Sequence, residues 1–279
     1  MPKTTNIWEQ FALKDHVIIV TGGAGLLGKE YTLALAQAGA QVIVADIDGE
    51  GAAQVAASAA GETSARALGI QADVSDKTSV TNLVRQTLAE FGRIDGLVNN
   101  AAVNPKFGGE HAREHTNAFE KYPLELWNQS LAVNLTGMFL CTQAVAPSML
   151  TQGQGSVVNI SSTYGLAGPD QRLYEKDDPQ APKVYKPVDY AVTKSAVLGL
   201  TRYLATYWGD KGIRVNALTP GGVYNQHEEE FVRRYSARTP LGRMADKSEY
   251  CGALLFLLSD ASSYMTGSNL VVDGGWTAW

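Results

Sequence analysis

The feature that most constrains the fold of this chain is a β-branched run that stops at glycines and turns into a helix. Residues 16–21 read HVIIVT, residues 21–28 read TGGAGLLG, and residues 29–38 carry helical apolar spacing that ends at Gly39. Strand, glycine turn and helix in that order open a βαβ unit, and QVIVA at 41–45 supplies its second strand. The alternation then continues. Helix-like segments at 49–60, 77–91 and 124–150 alternate with strand-like segments at 67–72, 94–98 and 156–161. A helix through Tyr190, a strand at 213–218, a helix at 247–259 and a strand at 269–272 complete the chain. This pattern predicts an α/β fold, a doubly wound parallel sheet with helices on both faces. No repeat or break in composition marks a second domain, so 1–279 is expected to be one unit.

Gly22, Gly25 and Gly28 let the backbone turn tightly. The helix that follows offers free N–H groups and a favourable dipole to a diphosphate. A purely structural glycine turn is the alternative. Strand before, helix after and a further strand beyond are the context that a dinucleotide site requires, which makes the expected sheet Rossmann-type. Asp46 closes the second strand near the offset at which an acid holds the adenosine ribose hydroxyls. Its carboxylate would repel a 2′-phosphate, and no Arg or Lys lies within 39–46 to receive one. NAD is therefore expected in preference to NADP. A helix-capping role for Asp46 stays open. Asp73 closes the third strand, where an adenine contact and a cap or turn are equally open.

Residues 190–194 read YAVTK within a run whose apolar positions (Val192, Ala196, Leu200, Tyr203, Leu204) recur at a helical period. Tyr190 and Lys194 then share a helix face. Free Tyr ionises far above neutrality, a nearby cation favours the phenolate, and such a Tyr can exchange a proton with a substrate hydroxyl. An ordinary amphipathic helix with an exposed Lys is the alternative. Asn99-Asn100-Ala101-Ala102 follows the fourth strand, at the edge where parallel sheets bind ligands. His111 and His115 are four apart, but HAREH is not HExxH and no third ligand is evident, so no metal is expected.

Composition excludes other classes. With 45% hydrophobic and 18% charged residues, the chain has material for a large core. A net charge of −5 without a basic run argues against nucleic acid. Cys141 and Cys251 sit in apolar helical runs and read as buried thiols in a reducing compartment. No signal-peptide core opens the sequence, and no stretch is long enough for a bilayer. A soluble cytoplasmic protein without a membrane partner is expected.

Taken together, these residues resemble the short-chain dehydrogenase/reductase family in its common single-domain form, over about the whole chain. The features that carry the resemblance are TGGAGLLG at 21–28, NNAA at 99–102, Asn134 in VNLTG and Ser161-Ser162 after VVNI. YAVTK at 190–194, Pro220-Gly221 and TGSNLVVDGG at 266–275 complete them. The resemblance implies that Tyr190 is the general acid/base. It implies that Lys194 lowers the Tyr190 pKa and holds the nicotinamide ribose, that Ser162 holds the substrate oxygen, and that Asn134 anchors a water leading from Lys194 to solvent. Ser162 is preferred to Ser161 because Gly165 follows it at the family's spacing. The implied cofactor contacts are Thr21, Gly22, Gly25, Leu26, Leu27, Gly28, Asp46, Ile47, Asp73, Val74, Asn100, Ala101, Ala102, Tyr190, Lys194, Pro220, Gly221 and Val223. Leu26 and Ala102 replace usual glycines, and Asn225 stands where a Thr often contacts the carboxamide.

The separation of Ser162 from Tyr190 exceeds that of many members and points to an insertion at about 165–189. It is polar, long and anchored at both ends beside the site, so it is expected to wall the substrate pocket, with Tyr164, Gln171 and Tyr174 as contacts alongside Ser162 and Tyr190. A surface ornament is the alternative. A weaker similarity to bacterial surface-sugar and flagellin-modification oxidoreductases suggests a sugar-like or polyol secondary alcohol, or its ketone, and the polar residues Asn104, Lys106, Gln171, Tyr224 and Gln226 agree. Rivals are a reductase of an apolar ketone, steroid or acyl thioester, and a non-catalytic NAD-sensing regulator. The resemblance implies a homotetramer. Apolar residues over much of two helices and the aromatic C-terminus (Trp276, Trp279) are expected to need cover.

Overall fold

A computed structural model of the protein describes residues 6–104, 117–178, 180–181 and 183–279. Its centre is a seven-stranded parallel sheet in the order β3-β2-β1-β4-β5-β6-β7. The strands are β1 (Val17–Thr21), β2 (Gln41–Asp46), β3 (Ala67–Gln71), β4 (Gly96–Asn99), β5 (Gly155–Ile160), β6 (Ile213–Pro220) and β7 (Asn269–Val272). The main helices are α1 (Leu26–Gln37), α2 (Gly49–Glu62), α3 (Lys77–Phe91), α4 (Leu124–Leu131), α5 (Met138–Gln152), α6 (Val188–Trp208), α7 (Glu229–Arg238) and α8 (Cys251–Leu258).

Strand alternation divides the core into two layers. Val17 and Ile19 of β1 face a cluster with Leu83 of α3, Val145 and Met149 of α5, and Trp208 of α6. Ile18 and Val20 face the other way, onto Tyr31 and Leu35 of α1, Ala52 and Ala56 of α2, and Leu254 and Leu257 of α8. A sheet buried on both faces needs continuous β-branched runs, which is what β1 and β2 are. The strand order reverses between β1 and β4, and a cleft opens at the carboxyl ends of strands at such a switch point.

Boundaries differ from the sequence expectation where local pattern is silent. α1 begins at Leu26, directly after its N-cap Gly25. The run 124–150 is α4, a π-helical turn (Ala132–Gly137) and α5. The run 247–259 is a 3-10 turn (Lys247–Tyr250), closed by an Asp246/Glu249 capping box, followed by α8. α7 was not expected. Among the described residues, no helix is long and apolar enough to cross a membrane.

Candidate active site

The glycine loop is forced by close packing. Gly22 has φ +62°, and a Cβ on it would lie 2.7 Å from the Ala101 Cα. A Cβ on Gly28 would lie 2.2 Å from the Gly22 carbonyl oxygen, so α1 starts pressed onto the loop. Gly25 is the N-cap of α1 and no side chain caps that end. The first-turn N–H groups are thereby left to an anion.

Thr21 and Asn100 hold the loop from below. Thr21 Oγ1 donates to the Val98 carbonyl (3.2 Å) and accepts from the N–H groups of Asn100 (3.0 Å) and Ala101 (3.1 Å). Asn100 Nδ2 donates to the carbonyls of Thr21 and Gly22, each at 3.0 Å. Both side chains thus brace the cradle from within the protein.

Asp46 accepts from the Ala24 N–H at 2.9 Å and the Asp48 N–H at 3.1 Å. It does not cap α2; Asp48 does, accepting from the Gly51 N–H at 3.0 Å. The Asp46 carboxylate therefore stands over the glycine loop, with exposed Ile47 beside it. Asp73 closes a turn by accepting from the N–H (2.8 Å) and hydroxyl (2.6 Å) of Ser75, while Val74 is buried. Leu26 is exposed at the start of α1, Leu27 packs on the α1 side of the core, and Ala102 lies exposed past β4. Pro220 ends β6, the Gly221 N–H donates to the Val272 carbonyl (2.9 Å), and Val223 bridges to Ala245. An uncapped helix end, a glycine cradle and a carboxylate at the ends of adjacent strands fit a dinucleotide: diphosphate on the helix, ribose hydroxyls on the acid.

Next to the cradle, β5 delivers two serines with different tasks. Ser161 is buried and its hydroxyl donates to the Lys194 carbonyl at 2.8 Å, pinning the end of β5 to α6. Ser162 is buried and its hydroxyl accepts from the Tyr164 N–H at 3.2 Å. Asn134 lies in the π-turn, accepts from the Val103 N–H (2.7 Å) and donates to the Val103 carbonyl (3.0 Å) and Thr193 Oγ1 (3.2 Å). It ties the segment after β4 to α6.

Lys194 is buried, and its Nζ donates to the Ile160 carbonyl at 2.8 Å, 5.8 Å from the centre of the Tyr190 ring. Burial pushes the Lys194 ammonium down to about 8. Burial pushes Tyr190 up, and the Ser162 hydroxyl acts against that rise.

The insertion is more than a polar surface strap. Tyr164 and Leu173 are buried, and Tyr164, Leu173, Tyr235, Met244 and Trp276 form a third hydrophobic cluster. The Tyr164 and Tyr174 hydroxyls bond each other at 2.9 Å. Gln171 Oε1 accepts from the Lys186 N–H at 2.8 Å. The expected contacts Tyr164, Gln171 and Tyr174 thus use polar groups on one another and on the Lys186 backbone. Trp276, expected to be exposed, is 1% exposed because Tyr164, Tyr235 and Arg238 cover it. Trp279 remains exposed. Cys141 is buried and Cys251 is half-buried, both as free thiols. His111, His115 and Lys106 lie outside the described residues.

Sequence reading missed two contributors. Lys186 is only 7% exposed, although it lies in the insertion that reads as polar throughout. Its position four before Tyr190, one turn away across the start of α6, was the available signal. Helix α7 brings Phe231 and Tyr235 against the same wall. The four-residue spacing of those aromatics was visible in an otherwise charged run.

The comparisons agree with this geometry. The family model for short chain dehydrogenases matches residues 16–174, and that for enoyl-(acyl carrier protein) reductase matches 180–277. A 2,5-dichloro-2,5-cyclohexadiene-1,4-diol dehydrogenase of Sphingobium indicum is 36% identical, over 95% of this chain and 98% of its own length. A D-threitol dehydrogenase of Mycolicibacterium smegmatis is 35% identical, over 96% and 95%. A gluconate 5-dehydrogenase from Burkholderia cenocepacia, solved with NADP and tartrate, superposes with a TM-score of 0.84 at 30% identity, covering 98% of this chain and all of that one. The chain belongs to the short-chain dehydrogenase/reductase family and is an NAD(P)-binding oxidoreductase.

Proposed function

We propose that the protein interconverts a secondary hydroxyl and its ketone on a sugar-like or polyol substrate, using NAD in preference to NADP. The observation that carries this reading is Tyr190 with the Lys194 ammonium 5.8 Å from its ring on α6, and Ser162 at the end of β5, at the sheet edge beside the glycine cradle. A bound nicotinamide accepts or supplies the hydride. Ser162 orients the substrate oxygen and Tyr190 takes its proton during oxidation or returns it during reduction. Lys194 offers a cation close to that proton and a donor for a ribose. Asn134 keeps α6 in place through Thr193. A sensor without turnover needs none of this proton machinery.

The polyol reading is supported by polar groups at the cleft (Asn104, Gln171, Lys186) and by the polyol, cyclic diol and sugar-acid substrates in the relatives' names. The NAD preference rests on Asp46 of this chain, whose carboxylate stands over the glycine loop; the gluconate dehydrogenase was solved with NADP. Residues 165–189 wall the substrate side of one catalytic unit. We also assign the protein to the cytoplasm as a homotetramer. Its free thiols suit a reducing compartment, and the exposed Phe139, Tyr203 and Tyr207 on α5 and α6 suit a helix-to-helix interface. The test is a panel of polyols, sugars, sugar acids and apolar secondary alcohols with each cofactor, read as reduced nicotinamide. Polyol oxidation with NAD at the higher kcat/KM is expected. Turnover confined to apolar alcohols, or equal use of both cofactors, would overturn the corresponding half of the proposal.

A further inference from the structure

Tyr190 has two lysines around it, and the nearer is not the one in its own motif. Lys186 Nζ lies 4.2 Å from the centre of the Tyr190 ring, against 5.8 Å for Lys194. The same ammonium is 5.7 Å from the Tyr164 ring and donates to Asn104 Oδ1 at 2.7 Å. Its backbone is fixed as well: the Lys186 N–H donates to Gln171, and Pro187 follows as the N-cap of α6. A long side chain held at both ends and 7% exposed is not a solvated surface charge.

We propose that Lys186 is a positioning residue for the proton chemistry: its ammonium, packed on the Tyr190 ring, favours the phenolate that takes the substrate proton. The proposal rests on the reading of Tyr190 as the general acid/base. The physical cause is that a cation over an aromatic ring is attracted by its π-face, and more strongly once the ring oxygen carries a negative charge. Lys194 spends a hydrogen bond on the Ile160 carbonyl and sits farther off. Burial alone pushes Tyr190 up, so a further cation is what the site needs to work near neutrality.

The other charged and titratable groups around Tyr190 have defined positions. Asp189 accepts from Ser130 of α4 and from the Tyr190 N–H (2.7 Å), and its field favours the Lys186 ammonium against burial. Burial pushes Lys186 the other way, down to about 7. Tyr164 and Tyr174 are held as phenols by burial. His227, beside α7, is pushed down by burial first and by the Lys186 charge second. With its ammonium 4.2 Å from the ring centre, Lys186 would favour an ionised Tyr190, and the phenolate would in turn favour a protonated Lys186.

The test compares Lys186→Met, Lys186→Gln and Lys186→Arg with the unmodified full-length protein. Two quantities are read: the pH profile of kcat/KM for alcohol oxidation, and the near-ultraviolet tyrosinate titration corrected by the same titration of Tyr190→Phe. Removing the cation should move the acid limb and the Tyr190 tyrosinate signal upward by about one pH unit. Lys186→Arg should restore most of the shift. Lys186→Gln keeps a donor for Asn104 and separates loss of charge from loss of packing. A tyrosinate titration unmoved in both neutral variants overturns the proposal, as does a raised KM with an unmoved acid limb. Wild-type turnover by Tyr190→Phe would instead overturn the reading of Tyr190 on which it stands.

Discussion

The nucleotide side and the substrate side of this molecule are built in different ways. The nucleotide side is held by backbone and short polar side chains. Glycines press α1 onto its loop, Thr21 and Asn100 stitch β1 to β4, and Asp46 braces the loop from β2. The substrate side is held by large side chains brought together over long separations in sequence. Trp276 packs on Tyr164 at 5.6 Å and Tyr235 at 6.1 Å, and Tyr174 packs on Phe231 at 5.6 Å. Ion pairs then fasten the insertion to α7: Arg238 to Asp170 (2.7 Å), Arg234 to Asp177 (2.6 Å) and Arg233 to Asp177 (3.2 Å). Backbone construction tolerates almost no change and keeps the chemistry fixed. Side-chain construction can be re-packed, so the substrate pocket is the part free to vary on an unchanged frame.

Four changes probe that contrast, the most severe first. Gly28→Val puts carbon into the Gly22 carbonyl, where only backbone could yield. It should lower Tm and remove measurable dinucleotide binding by calorimetry; affinity within tenfold of wild type would mean that the cradle is not rigid. Trp276→Ala empties the third cluster and should cost about 3–5 kcal/mol in urea unfolding, with a higher substrate KM. Dinucleotide affinity should hold, and its collapse would show that the two sides are one unit.

Asp46→Ala combined with Ile47→Arg removes the repulsion and adds a phosphate partner. The ratio of kcat/KM for NADP to that for NAD should rise by roughly tenfold or more, one such contact being worth over 1 kcal/mol, while substrate KM stays put. An unchanged ratio would sink the role of Asp46. The mildest change is Asp177→Asn. Asp177 and Arg233 are largely exposed, and such pairs are worth about 0–1 kcal/mol. A small rise in substrate KM, mimicked by high salt in the unmodified protein, is expected; a large one would mean that the ion pairs and not the aromatic cluster hold the wall.

The same division explains what the sequence made legible. The helix predicted at 77–91 is α3 residue for residue, because Val80, Leu83 and Val84 mark its buried face and Asp76 caps it. β7 was read equally well from NLVV. The glycine turn before α1 and the shared helix of Tyr190 and Lys194 were legible because their spacing is local, whereas Ser162 came from the resemblance. α7 was missed because its run is mostly charged and its Phe231 and Tyr235 gain their meaning only from Trp276 and Tyr174, far away in the chain. Lys186 was not singled out, because a sequence does not tell that the Tyr164 and Tyr190 rings lie beside its ammonium. Trp276 was expected on the surface for the same reason. Local patterns state periodicity and caps; they do not state which distant side chains meet.

The central claim is that Tyr190 moves the substrate proton on a frame that binds the dinucleotide independently. The most direct test is Tyr190→Phe, which keeps the ring and removes the hydroxyl, with kcat on the best polyol and NAD affinity by calorimetry measured on the same preparation. The account predicts that kcat falls by about 100-fold or more while NAD affinity stays within a few-fold of wild type. Turnover near the wild-type rate would contradict it.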